Sequence, residues 1–144
     1  VILPNISEAA FMTGMPYPGE NASNECIKDL LLSLAKLGSK KIVITGVESA
    51  DHKFGFMGYD SETKEFFEYY TPKVQMKSHG TGDVFASTFT GALMNDYNIQ
   101  DSLKIAADFT KACINNTYND PEAVNYAVNF ESEIPYLLKL IRKV

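Results

Sequence analysis

Cysteine is scarce: only Cys26 and Cys113 occur in the 144 residues. Two thiols are too few for a disulfide scaffold or a thiolate metal cluster. Both fall within helical patterns and read as buried free thiols in a reducing cytoplasm. No apolar run approaches membrane-spanning length and no signal peptide precedes the first strand, so the expected setting is cytoplasmic, without membrane contact. Positive charge is also in short supply. The 13 Lys and Arg stand against 18 Asp and Glu, for a net charge of −5, and the cations are scattered, which argues against nucleic acid as a partner. The Gly-x-x-x-x-Gly-Lys-Ser/Thr loop of P-loop enzymes is missing. Internal repeats, low-complexity tracts and a second domain are absent, so residues 1–144 are expected to form a single domain. An initiator methionine is missing too: the chain opens Val1-Ile2-Leu3, as if cut inside a strand, and reads as a fragment.

What is present suits an α/β fold. Apolar residues make up 45% of the chain, enough for one real core. Val1 to Leu3 is a short apolar run of the kind found in buried parallel strands. Pro4 ends it and places Asn5 at the strand's carboxyl end, the edge where open α/β sheets bind ligands. Ser7 is the expected cap of a short helix reaching Met12. After a Pro/Gly-rich loop, Ser23 caps a helix with Ile27, Leu30, Leu31, Leu34 and Leu37 in one stripe, and Gly38 stops it. Lys41 to Gly46 reads as a central strand, with Thr45 and Gly46 at its carboxyl end, level with Asn5. Two aromatic-rich runs around the Asp60–Lys64 turn predict a β-hairpin. His52, just before it, shows no partner and receives no role. Farther on, Asp101 or Ser102 is expected to cap a long helix whose end frays at Asn115-Asn116-Thr117. A last helix spans Ile134 to Leu140, with Pro135 in its first turn.

The stretch richest in chemistry is Ser78-His79-Gly80-Thr81-Gly82-Asp83. Phe85, Phe89, Ala92 and Leu93 follow at helical spacing, which puts Asp83 in a helix's first turn. Glycines there admit dihedrals closed to other residues and let a ligand approach the backbone. The free amides of Gly80 to Asp83 then form an anion site at the positive end of the helix dipole. A carboxylate beside bound phosphate repels it, yet makes sense as a base for an attacking hydroxyl whose phosphoryl acceptor step the amides stabilise. A plain glycine turn with an acidic first-turn residue would show the same four letters. Asn5 and Glu8, three residues apart, can approach one cation, and magnesium, which keeps several waters, suits such an indirect hold. Glu8 equally fits a capping-box partner for the Asn5 amide.

Gly80-Thr81-Gly82-Asp83 with Val84-Phe85-Ala86 resembles the signature of the ribokinase-like kinases, most closely the pyridoxal/pyridoxamine kinases. Pro4-Asn5-Ile6-Ser7-Glu8 with Thr13-Gly14 resembles their Asn-x-x-Glu motif. Tyr126-Ala127-Val128-Asn129-Phe130-Glu131 is similar to a Tyr-Gly-Val-x-Phe-Glu segment of bacterial vitamin B6 kinases, departing at Ala127. The resemblance implies a three-layer α/β/α fold of ribokinase type, the C-terminal, ATP-binding half, with an antiparallel hairpin at one side of the sheet. It implies phosphorylation of the hydroxymethyl group of pyridoxal, pyridoxamine or pyridoxine in vitamin B6 salvage, with ATP as co-substrate and Mg2+ as metal. Asp83 becomes the base, with Gly80, Thr81 and Gly82 as the anion hole. Thr45, Gly46, Lys73 and Val74 become nucleotide contacts, and Asn5 and Glu8 help to hold magnesium and phosphate, largely through water. The full-length enzyme would be a homodimer of nearly twice this length, its other half carrying much of the vitamin pocket. Hydroxymethylpyrimidine kinases share this framework, although many carry cysteine where Asp83 stands; sugar and nucleoside kinases more often show alanine at Thr81. A nucleotide-binding regulatory module without catalysis is the reading outside the enzymes.

Overall fold

The computed structural model describes residues 1–19, 21–72, 80–123 and 127–141. The chain divides into two compact units, Val1–Lys73 and Val74–Val144.

In the first unit, β1 (Lys41–Glu48), β2 (Lys53–Asp60) and β3 (Glu65–Pro72) form an antiparallel sheet in that order. The expected hairpin is β2–β3. The Asp60 carboxylate organises its turn, accepting from the amides of Glu62 at 2.9 Å and Thr63 at 3.4 Å and pairing with Lys41 Nζ at 3.1 Å. Val1 to Leu3 is not a full strand. Ile2 and Asn5 instead make isolated parallel bridges to Ile42 and Thr45, tied by Ile2 N–H to Lys41 O, Val43 N–H to Ile2 O and Thr45 N–H to Pro4 O. Proline has no N–H to donate, so Pro4 joins the ladder only through its carbonyl.

Two helices cover one face of this sheet. The stripe seen in the sequence becomes α2 (Asn24–Ala35), capped by Ser23 as expected. Ile27, Leu30, Leu31 and Leu34 are buried with Ile42, Ile44, Met57 and Tyr59 of the sheet. The shorter α1 (Ile6–Thr13) adds Ile6, Ala9 and Ala10 to the same core. Its cap is Asn5 rather than Ser7: Asn5 Oδ1 accepts the Glu8 amide, which leaves Ser7 inside the first turn.

The second unit is built on α3 (Thr81–Met94) and α4 (Ile99–Asn119), which pack on each other. Asn98 caps α4, its Oδ1 accepting the Asp101 amide at 2.8 Å, so neither Asp101 nor Ser102 is the cap. Ser102 is buried one turn inside. The helix does not fray at Thr117 either. The Thr117 hydroxyl is buried, donates to Cys113 O at 2.7 Å and accepts the Asn129 amide at 2.8 Å, anchoring the returning chain. A turn of 3-10 helix, Glu131–Glu133, leads into α5 (Ile134–Leu140), which begins with Pro135 in its first turn as expected. Phe109, Cys113 and Val128 form a small core against Val84, Leu137 and Leu140. Cys26 is exposed and only Cys113 is buried, because Cys26 lies on the polar side of the α2 stripe.

Candidate active site

Gly80 sets up the start of α3. It holds the N-cap position at φ 84° and offers no side chain to the first amides. That dihedral lies in the left-handed region, where any residue with a Cβ is strained. The first helical bond runs from the Val84 amide to Gly80 O at 3.0 Å, so the amides of Thr81, Gly82 and Asp83 precede the intrahelical ladder. Among the described residues no capping oxygen satisfies them, unlike at α1, α2 and α4. Asp83 is exposed in this first turn, and among the described residues its carboxylate is engaged by no hydrogen bond or ion pair. One residue on, Val84 packs against the Phe109–Cys113–Val128 core. The catalytic candidate therefore sits on a packed element rather than a free loop.

Gly82 adds a separate observation. Its φ is not positive, and a Cβ built there meets no described atom within 4 Å. Nothing in its own backbone or described neighbours demands glycine, while glycine inside a helix is the less stable choice. Among the described residues the space around its Cβ position is open.

The first unit brings together Asn5, Glu8, Thr45 and Gly46 of the other predicted residues. Asn5 is bridged to Thr45, so both lie at the carboxyl end of the parallel pairing. Gly46 follows at φ 72° as a bulge that shifts the β1–β2 register between Thr45 and Val47. The strand continues to Glu48, so Gly46 interrupts the strand instead of ending it. Asn5 and Glu8 form a complete capping box: Glu8 N–H donates to Asn5 Oδ1 at 2.9 Å and Asn5 N–H to Glu8 Oε2 at 2.8 Å. Both side chains are exposed. Among the described residues no group of three or more His, Cys, Asp or Glu side chains is poised for a metal. A cation here would meet the single carboxylate of Glu8 and its waters, a donor set that suits magnesium rather than zinc. Beside them an open groove of about 560 Å³ is lined by Ile2, Leu3, Pro4, Ser7, Glu8, Phe11 and Met12.

Lys73, Val74, Ser78, His79 and Tyr126 lie outside the described residues. His52 does have a partner: its Nδ1 lies 2.8 Å from Glu48 Oε1. An i, i+4 spacing signals contact in a helix and not across a strand end, and here His52 adopts φ 58° in the β1–β2 turn.

The sequence profile of the phosphomethylpyrimidine kinases matches residues 1–128. No curated protein matches the chain. Solved structures do. A Bacteroides thetaiotaomicron protein, provisionally named a phosphomethylpyrimidine kinase, is 26% identical with a TM-score of 0.85, over 99% of this chain and 48% of its own. The pyridoxal kinase of Lactobacillus plantarum is 26% identical, with a TM-score of 0.82 over 96% of this chain and 49% of its own. The Staphylococcus aureus pyridoxal kinase in complex with ADP is 25% identical, with a TM-score of 0.73 over 89% of this chain and 45% of its own. The chain thus spans about half the length of these solved relatives. Its fold is that of the ribokinase-like kinases, as the motifs implied. The chain belongs to the phosphomethylpyrimidine kinase family.

Proposed function

We propose that this chain supplies the nucleotide site and catalytic base of a kinase that moves the γ-phosphoryl group of ATP to the hydroxymethyl group of pyridoxal, pyridoxamine or pyridoxine. The observation that carries it is the start of α3: among the described residues, uncapped amides behind a left-handed Gly80, open space at Gly82, and an exposed, unengaged Asp83. In the step itself the acceptor oxygen forms a bond to the γ-phosphorus as the bond to the ADP oxygen breaks, and the hydroxyl proton passes to Asp83. The amides of Thr81, Gly82 and Asp83 face the charge that builds on the transferring group. Such transfer depends mostly on positioning and electrostatics. Glu8, oriented with Asn5, would hold Mg2+ through water, and the metal would supply charge neutralisation on the phosphates. Thr45, Gly46, Lys73 and Val74 are assigned to the nucleotide. The reading includes a cytoplasmic, homodimeric full-length enzyme acting in vitamin B6 salvage.

Support comes from two kinds of relative. The Staphylococcus aureus pyridoxal kinase is solved with ADP, and the Bacteroides thetaiotaomicron protein was crystallised with pyridoxal. The family profile favours a second acceptor, hydroxymethylpyrimidine or its phosphate, and the chemistry at Asp83 would be the same for either.

Asp83→Asn in a full-length protein carrying this chain separates catalysis from binding. Asparagine fits the first helical turn but cannot take the proton, so turnover should fall roughly 10²–10⁴-fold. Nucleotide affinity should hold or rise slightly, because a negative charge near the phosphates is gone. Turnover close to wild type, with either acceptor, would remove Asp83 as the base. Retained nucleotide binding without turnover in the wild type would favour the regulatory module.

A further inference from the structure

Gly46 is a residue that the sheet does not need. Thr45 pairs with Phe56, Val47 with Gly55 and Glu48 with Phe54, so the β2 partners run consecutively while β1 skips Gly46. It is one extra residue set into an otherwise regular ladder, a bulge with glycine in the left-handed region at φ 72°. The core does not ask for it either. Side chains alternate between faces along a regular strand, yet Ile42, Ile44 and Val47 all lie in the core that β1 shares with α2. With Gly46 removed, Val47 would follow Thr45 directly and still fall on the face of Ile42 and Ile44. On the other side of β1 the last parallel bridge is at Thr45, ahead of the bulge. Gly46 itself is exposed, and a Cβ built there meets no described atom within 4 Å.

A bulge interrupts the ladder, and glycine in a strand weakens it further. A residue that neither ladder nor core requires points to a use outside the fold. We infer that the Gly46 bulge is a positioning device that acts on the nucleotide through Thr45. The inference rests on the proposed function in taking Thr45 as a nucleotide contact. Bulges bend their strand, add local twist and re-aim the side chains beside them. Here the neighbour on the ligand side is Thr45, whose amide donates to Pro4 O at 2.9 Å and which is bridged to Asn5. Val47, the neighbour on the other side, is fixed in the core. The change of direction therefore falls between an anchored core residue and the residue level with Asn5. The ladder and the Pro4 carbonyl supply the anchor, and the extra residue supplies the angle.

The test is deletion of Gly46, read by melting of the unliganded chain and by calorimetric binding of Mg-ADP. The deletion should melt at or above the wild-type temperature, because a regular ladder replaces a bulged one. ADP affinity should nevertheless fall roughly 10–100-fold, the worth of a hydrogen bond to a charged group. Gly46→Asn keeps the extra residue in a type that tolerates the left-handed region, and should recover most of the affinity that the deletion loses. In a Thr45→Ala background the deletion should cost no further affinity. Melting well below wild type would make the bulge a requirement of the fold and overturn the inference. So would a deletion that binds ADP normally, or a further loss in the Thr45→Ala background. An asparagine variant that binds as poorly as the deletion would make the bare glycine the contact and overturn it too. A wild-type chain that binds no Mg-ADP would sink the proposed function first, and this inference with it.

Discussion

Gly82 stands at the second helical position of α3, where alanine would ordinarily hold the helix better by about 0.5–1 kcal/mol. With open space around it, Gly82→Ala should leave stability unchanged or raise it by up to about 1 kcal/mol. On the proposed reading the added methyl stands beside the phosphates held at this helix start, so nucleotide affinity should drop. Paired melting and binding curves check this, and a variant that binds nucleotide like wild type would show the space has no such use. The glycines and Asp83 were legible because a motif at a helix start follows from a few neighbouring letters. The Asn5 side chain was less so, since the same two residues serve a cap or a cation and only coordinates show which oxygens are engaged. Thiol reactivity was half legible. Burial, with Glu133 nearby, pushes the Cys113 thiol up to about 11, while Cys26 is exposed. A thiol reagent at neutral pH should therefore label Cys26 in the folded chain and Cys113 only on unfolding; equal rates would contradict the packing of α4.

At the scale of elements, helix starts were misplaced in one direction. Asn5 and Asn98 cap α1 and α4, whereas the sequence pointed to Ser7 and to Asp101 or Ser102. Apolar periodicity marks the body of a helix but not its cap, and each of these first turns opens on one isoleucine, Ile6 or Ile99, ahead of polar residues that themselves look like caps. The α2 cap was legible because Ser23 directly precedes the turn that carries Ile27. The hairpin emerged from alternation and turn letters, but its electrostatic fastening did not. Burial acts to raise the Asp60 carboxyl, yet the Glu62 amide, Lys41 and the Thr63 amide together hold it below the usual carboxylate value. A folded pKa depressed in this way adds stability that is full above the unfolded value, about 3.9, and is lost as pH falls through the lower folded value. Lys41→Met should lower the melting temperature at neutral pH and flatten its acid decline below about pH 4. An acid limb parallel to wild type would show that Lys41 does not stabilise the ionised form. Leu34, fully buried between α2 and the sheet, should cost about 2–5 kcal/mol as alanine, seen as a lower denaturation midpoint.

For the molecule as a whole, composition said little about architecture. Parallel and antiparallel pairing meet on β1, through Ile2 and Asn5 on one side and β2 on the other. The parallel part was legible only as an apolar triplet before proline, since bridges so short leave no period to read. No helix among the described residues is long and apolar enough to cross a membrane. The central claim is that this chain handles the phosphates of ATP, and it is tested most directly by its thermal unfolding with and without Mg-ATP. Ligand that binds only the folded form stabilises it by about 2.7 kcal/mol at a hundredfold excess over its dissociation constant. Since 1 kcal/mol moves the melting temperature of a domain this size by roughly 2–8 °C, millimolar Mg-ATP should raise it by several degrees, and Gly82→Ala should lose most of that rise. An unchanged melting temperature for the wild-type chain would contradict the account.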